Sequence, residues 1–253
     1  MPTIRNLLAL LLWLLVSPCP AAEFATLLKE GDRLDAQRRT SEALAVYRQA
    51  EKLSPETAEV LHRIAKQLGE SIQDANHLSR RRALAEEALG YARRAVSADP
   101  RNSNAHVSLA ICLGLMTPYQ TNKEKIAASK LIESHAQRAL ALDPNNELAH
   151  FVLGAWNNGL ASLNPVLAGV ARVVYGRLPS ASHEQAARHF RLALKLNPHR
   201  AASWLGLGNA LKSQNRLPES RAAFQQALSL PIRYKEDEDT KARAKEALAS
   251  LEE

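Results

Sequence analysis

A chain of 253 residues with 46% apolar content can bury a substantial core, and its formal charge of +7 favours anionic surfaces such as lipid. Ala and Leu dominate, and Glu, Lys, Arg and Gln fill most remaining positions, a helix-former's composition that excludes a sheet-rich fold. The basic residues are spread along the whole chain instead of forming one patch, so nucleic acid is not an expected partner.

Residues 1–22 have the layout of a secretory signal. Arg5 is the only charge before Glu23, the apolar run Leu7 to Val16 is shorter than the roughly 20 residues a bilayer span needs, and Ser17 to Ala22 form a small-residue cleavage region. The reading is an exported, periplasmic protein cleaved after Ala21 or Ala22, with residues 23–253 as the mature domain. Pro18 argues against Cys19 as a lipid-anchor acceptor, and a retained signal anchor is the remaining alternative. Cleavage leaves Cys112 as the lone cysteine, so no intramolecular disulfide forms, and its neighbours Ile111 and Leu113 suggest a buried small hydrophobe.

The rest of the chain repeats. Ala50 to Pro55, Ala95 to Pro100, Ala139 to Pro144 and Ala193 to Pro198 each place Ala five residues before a proline that ends a helix. The tetratricopeptide pattern W-x2-L-G-x2-Y, then A-x3-F, then Pro, recurs with variation. The first unit, 24–57, carries Leu27, Gly31, Leu34, Ala43, Tyr47 and Ala50. The second, 58–102, opens with Leu61, Ile64, Ala65 and Leu68; the third, 103–146, with Leu109, Ala110 and Leu113. The fourth, 147–200, has Leu153 and Gly154, then Ala186, Phe190 and Ala193. The fifth, 201–234, fits best, with Trp204, Leu207, Gly208, Leu211, Phe224 and Ala227 ahead of Pro231. A capping helix over 237–252 follows, its acidic run Glu236 to Asp239 read as a solvated helix start. The predicted fold is therefore an all-α, tetratricopeptide-like solenoid of about five helix pairs.

Successive closing prolines lie 45, 44, 54 and 33 residues apart, so the middle units carry insertions, expected between helix A and helix B at Gly69 to Ser79, Thr117 to Lys125 and Leu160 to Pro179. The third insertion is long enough for its own helix, with Asn164 as cap, Pro165 in the first turn and Gly176 as stop. It has no charge from Leu160 to Ala171, and Val166, Leu167, Val170 and Val174 recur at helical spacing. Such a helix packs on the array, closes over the groove or rests on a membrane surface.

From Tyr91 onward the chain resembles the regulator of microtubule dynamics family. The resemblance rests on Tyr91 to Asn102, Lys123 to Trp156, Tyr175 to Pro198 and Ser203 to Pro231, and on the insert lengths. It implies a helical repeat domain used for association. Some eukaryotic relatives associate with microtubules, and one is a membrane-contact protein whose repeat domain binds phospholipid. Two departures stand out: Ala155 precedes the tryptophan where many relatives carry Arg, and the inserted helix lacks the usual charges. The export signal places this chain away from tubulin, so a microtubule role ranks behind the other two.

Chemistry is not expected. His183-Glu184 begins a zinc-protease motif, but position 187 is Ala187, so no second ligand follows at the required spacing. His62, His106 and His150 lie at or next to the position that Trp204 fills in the last unit and are read as packing residues. No catalytic residue, cofactor or metal site is predicted.

Binding is expected on the concave face, lined by helix A. Its polar end has His62 and Lys66; its apolar centre has Val107, Ile111, Leu148 and Phe151, flanked by Ala155 and Asn158; its far end has Leu205, Asn209 and Lys212. Arg80, Arg81 and Arg82 precede helix B of the second unit, where positive charge opposes the helix dipole, and are either solvated or turned to an anionic partner. The expected function is a non-enzymatic envelope scaffold holding a protein or peptide, with anionic phospholipid as the second partner class.

Overall fold

A computed structural model describes residues 20–176 and 180–251; the proposed signal falls almost wholly outside them, with Ala21 and Ala22 in the first turn of the first helix. The described residues contain no strand. Five antiparallel pairs stack in sequence: α1 (Pro20–Ala36) with α2 (Thr40–Leu53), α3 (Ala58–Ser71) with α4 (Leu78–Ala98), α5 (Ser103–Leu115) with α6 (Asn122–Leu142), α7 (Glu147–Ala161) with α9 (His183–Leu196), and α10 (Ala201–Ser213) with α11 (Leu217–Ser229). Two further helices, α8 (Pro165–Tyr175) and α12 (Asp237–Ala249), complete the array. This is the solenoid the repeats predict.

The punctuation between units has a local cause. In Asp99-Pro100-Arg101-Asn102, Asp99 Oδ1 accepts the Arg101 amide at 2.8 Å, Pro100 cannot extend the helical ladder, and Asn102 caps α5 by accepting from Ala105 N at 2.9 Å. Asp143 and Asn146 repeat the arrangement ahead of α7. Within units one, four and five the pairs close on a glycine: an added Cβ at Gly31 would lie 2.3 Å from the Tyr47 ring, at Gly154 2.9 Å from Phe190, and at Gly208 2.4 Å from Phe224.

Two of the insertions expected between helix A and helix B are largely absorbed into the helices themselves. Gly69 to Ser71 remain in α3, only 72–77 connect, and both α4 and α6 run to 21 residues, so most of the extra chain lengthens helix B. A helix satisfies its own backbone hydrogen bonds, which a long loop cannot. The third insertion does form α8: Asn164 Oδ1 accepts from Leu167 N at 2.9 Å, Pro165 sits in the first turn, and Gly176 stops the helix at φ +74°. It packs against α6 on the helix-B side through the fully buried Ala171.

The acidic run at the start of α12 also departs from its solvated reading. Asp237 is fully buried and its Oδ2 accepts the amides of Arg233 and Tyr234 at 2.7 and 2.8 Å, while Glu236 pairs with Arg200 at 2.8 Å. Only Glu238 and Asp239 face solvent. From this anchored turn the array curls back on itself, with Lys235 Nζ 2.7 Å from Asp74 and Arg38 4.0 Å from Glu238, so the cap touches the turns of the first two units.

Candidate binding site

An apolar hollow is built where α5 and α7 separate over α6. Ile111, Gly114 and Leu115 come from α5, Ile126, Ser129 and Ile132 from α6, and Phe151, Ala155, Trp156 and Leu160 from α7, with Leu163 closing one side ahead of α8. The volume is about 540 Å³, within the range of small-ligand pockets. Trp156 is fixed in the wall by its indole N–H, which donates to Ser129 O at 3.0 Å. Phe151 packs against Phe190 with the rings tilted by 60° and their centroids 6.0 Å apart. The single charged lining residue is Lys125, half-buried and without an ion-pair partner among the described residues. Ala155, where the chain departs from the family pattern, is exposed in the wall, and a longer side chain there would enter the hollow.

The structure gathers some of the expected groove residues here and disperses the others. Ile111 and Phe151 line the hollow, and Leu148 packs partly buried beside them. Val107, 2% exposed, and Leu205, 5% exposed, are core residues and not groove wall: Val107 is enclosed by α6 and α7, and Leu205 lies beneath α12 with Phe224 and Ala244. That corrects both expectations, and the reason is that helix A also supplies the surface on which the next pair stacks. Asn158 Oδ1 accepts a hydrogen bond from His183 Nδ1 at 2.9 Å, and Lys212 donates to Ser250 Oγ at 2.7 Å. Asn209 is half-buried on α10.

At the first end, the polar residues satisfy one another. Arg63 donates to Asp32 at 2.7 Å, Tyr47 Oη donates to Asp32 at 2.6 Å, and Lys66 reaches Asp35 at 2.5 Å and Glu70 at 3.5 Å. Burial opposes the charge on Asp32, but the bonds from Arg63 and Tyr47 outweigh it and hold its carboxyl below the usual range. Burial likewise opposes the charge on Lys66, yet Glu70 and Asp35 raise it above an ordinary lysine. Burial, aided by Asp35 and Glu236, pushes Glu70 up to about 7 against the pull of Lys66. His62, beside Arg63, is pushed down to about 4, chiefly by burial.

The arginine triplet is exposed. Arg81 donates to Ala75 O at 2.7 Å and Arg82 pairs with Glu86 at 2.8 Å, while Arg80 has no partner among the described residues. Cys112 is buried, which pushes its thiol up to about 12 and suits the inert packing role read from its neighbours. The described residues contain no group of three or more potential metal ligands, and none of their helices is long and apolar enough to cross a membrane.

The family described as regulator of microtubule dynamics protein 1-3 matches residues 27–252. The chain belongs to this family. It is 28% identical to regulator of microtubule dynamics protein 1 of Pongo abelii over 92% of this chain and 74% of the relative, and 26% identical to that of Mus musculus over 78% and 65%. The human protein of the same name is 28% identical over 74% of this chain and 61% of its own length, so the chain spans roughly two thirds of such relatives. Among solved structures, a thermophilic TPR protein of Thermus thermophilus superposes with a TM-score of 0.62 at 19% identity, covering 89% of this chain and 99% of that one. Pseudomonas aeruginosa pilF gives 0.53 at 14% identity, covering 92% and 90%. Those likenesses show the fold of this family member as a tetratricopeptide-type solenoid.

Counting along helix A could find Ile111 and Phe151, but not Lys125, Ile126 or Leu163. Those come from helix B and the insertion, and they reach the hollow only because α6 is long and α8 starts beside it.

Proposed function

We propose that this chain is a non-enzymatic scaffold of the cell envelope that seats an apolar segment of a protein or peptide partner in the hollow between α5, α6 and α7. The observation that carries this reading is the hollow itself: about 540 Å³, walled by Ile111, Leu115, Ile126, Phe151 and Trp156. Burial of a partner's apolar side chains there is worth roughly 25 cal/mol per Å² removed from water. The signal-like layout of residues 1–22 supports a periplasmic location for the scaffold.

The test is co-purification from envelope extracts with the wild-type chain and an Ala155→Trp variant. Ala155 is exposed, so the indole fills the hollow without disturbing the core. A specific partner recovered with wild type and lost with Ala155→Trp supports the proposal; equal recovery overturns it.

A second reading, a phospholipid-binding or membrane-contact module, is favoured by Lys125, a cation at the edge of an apolar hollow with no ion-pair partner among the described residues, and by the exposed Val166 and Val173 on the nearby α8. Native mass spectrometry of the purified protein separates the two readings. An acyl-chain mass carried by wild type and absent from Lys125→Ala favours lipid; a bare chain excludes it. Microtubule association, suggested by the names of the eukaryotic relatives, is the third reading, tested by co-sedimentation with polymerised tubulin.

A further inference from the structure

His106 and His150 occupy the place of Trp204, each six residues after the proline that ends the preceding unit. All three rings bond back to that proline: His106 Nε2 lies 3.0 Å from Pro100 O, His150 Nε2 3.2 Å from Pro144 O, and Trp204 Nε1 2.9 Å from Pro198 O. A carbonyl only accepts, so each imidazole carries its proton on Nε2 and presents a bare lone pair at Nδ1. In both units that lone pair accepts an N–H···N hydrogen bond from a second histidine across the helix pair, and a bound metal ion would take the place of that shared proton. His106 Nδ1 is 2.9 Å from His135 Nδ1, and His150 Nδ1 is 3.2 Å from His189 Nδ1.

The spacing of each hydrogen-bonded pair is also that of two ligands on one ion. A metal with bonds of about 2.0–2.1 Å to imidazole holds two nitrogens about 2.9 Å apart at a right angle and about 3.3 Å apart at the tetrahedral angle. Both pairs fall within or at the edge of that interval. The Nε2–H bond to a backbone carbonyl is the outer-shell arrangement that orients ligating histidines in metal sites. His135 and His189 are only half-buried, so water can complete the coordination sphere.

We propose that His106 with His135, and His150 with His189, form two equivalent bis-imidazole sites for a divalent transition metal, with copper(II) the tightest-binding member of the series. The ion would tie α5 to α6 and α7 to α9, stiffening the helices that wall the apolar hollow. This inference stands on the histidine geometry and does not depend on which partner the hollow accepts. With two protein ligands and the remainder water, affinity follows the order of intrinsic metal preference, in which copper(II) exceeds nickel(II) and zinc(II).

The experiment is titration of the metal-free mature chain with copper(II) at neutral pH, followed by electron paramagnetic resonance and thermal unfolding. Two equivalents are expected per chain, with nitrogen hyperfine structure and a raised Tm. His135→Gln and His189→Gln should each remove one equivalent and the double variant both, since His106 and His150 keep their bonds to proline. Unchanged stoichiometry in the double variant, or saturation only at millimolar metal, overturns the proposal in favour of adventitious binding by scattered histidines. Loss of a single equivalent overturns it for the unaffected pair. Should a variant fail to fold, zinc(II) added to the unaltered chain decides the matter by NMR. The four paired imidazoles should shift at Nδ1 while His62, His77, His183 and His199 do not, and the reverse pattern sinks the assignment.

Discussion

Units one and five solve the helix-pairing problem differently from units two and three. In the outer units a glycine on helix A receives the face of an aromatic ring on helix B, Gly31 against Tyr47 and Gly208 against Phe224. In the inner units the corresponding positions hold Ala65 with Ala92 and Ala110 with Ala136, all buried. The turns differ too. The outer pairs connect through three residues with a left-handed residue, Arg38 at φ 60° or Asn215 at φ 58°, whereas α4 and α6 reach 21 residues. One ring filling a glycine notch concentrates the packing at one point; small residues bring two helices together along a longer line. The longer inner helices leave the apolar hollow between units three and four, so the change of packing mode coincides with the candidate site.

The comparison is broken most directly by truncation. Phe224→Ala should cost about 3–5 kcal/mol, whereas Ala136→Gly should cost about 1 kcal/mol, both read from denaturant midpoints. Equal losses would show that the ring does not dominate its unit. The converse test overfills the notch: Gly208→Ala places a Cβ 2.4 Å from the Phe224 ring and should destabilise by about 1–3 kcal/mol, partly relieved by adding Phe224→Leu.

Acid tests the burial of single side chains in the two regions. Burial, with His150 and Arg188 nearby, pushes His189 down to about 4, so the unfolded chain takes up the proton first as pH falls through about 6.5. Stability held by neutral His189 is therefore lost between pH 6.5 and 4. The His189→Gln variant should show a flatter stability profile over that window. Glu70, raised to about 7, acts in the opposite sense, its folded-state benefit being complete in acid and lost as pH rises through 7. Glu70→Gln should therefore flatten the profile near neutrality, and parallel curves for wild type and both variants would refute these roles.

The smallest effect concerns how the long inner helix starts. Thr121 and Glu124 form a reciprocal cap on α6, Thr121 N donating to Glu124 at 2.8 Å, while α2 and α11 begin without a side-chain cap. Thr121→Ala should cost about 1 kcal/mol in thermal unfolding, and no change would mean that packing alone sets the start of α6.

Much of this molecule follows from local chemistry that a linear reading can follow. The closing prolines, the Asn caps after them, the glycine opposite each aromatic ring and the Asn164, Pro165 and Gly176 signals of α8 all act over a few residues or one helix pair. The histidine pairs were legible in principle, since His135 and His189 each lie nine residues before the next closing proline, but only the backbone shows that this register faces them toward His106 and His150.

Tertiary structure decided the rest. Whether Val107 and Leu205 face a groove or a neighbour depends on how closely successive pairs stack. The burial of Asp237 and the contacts Lys235–Asp74 and Arg38–Glu238 depend on curvature summed over five pairs. The sequence alone determined an all-helical stack and the register of its repeats, because those rest on hydrogen bonds and side-chain spacing within a unit. Where the stack bends, closes and leaves a hollow was set by small rotations between units, which no single segment encodes.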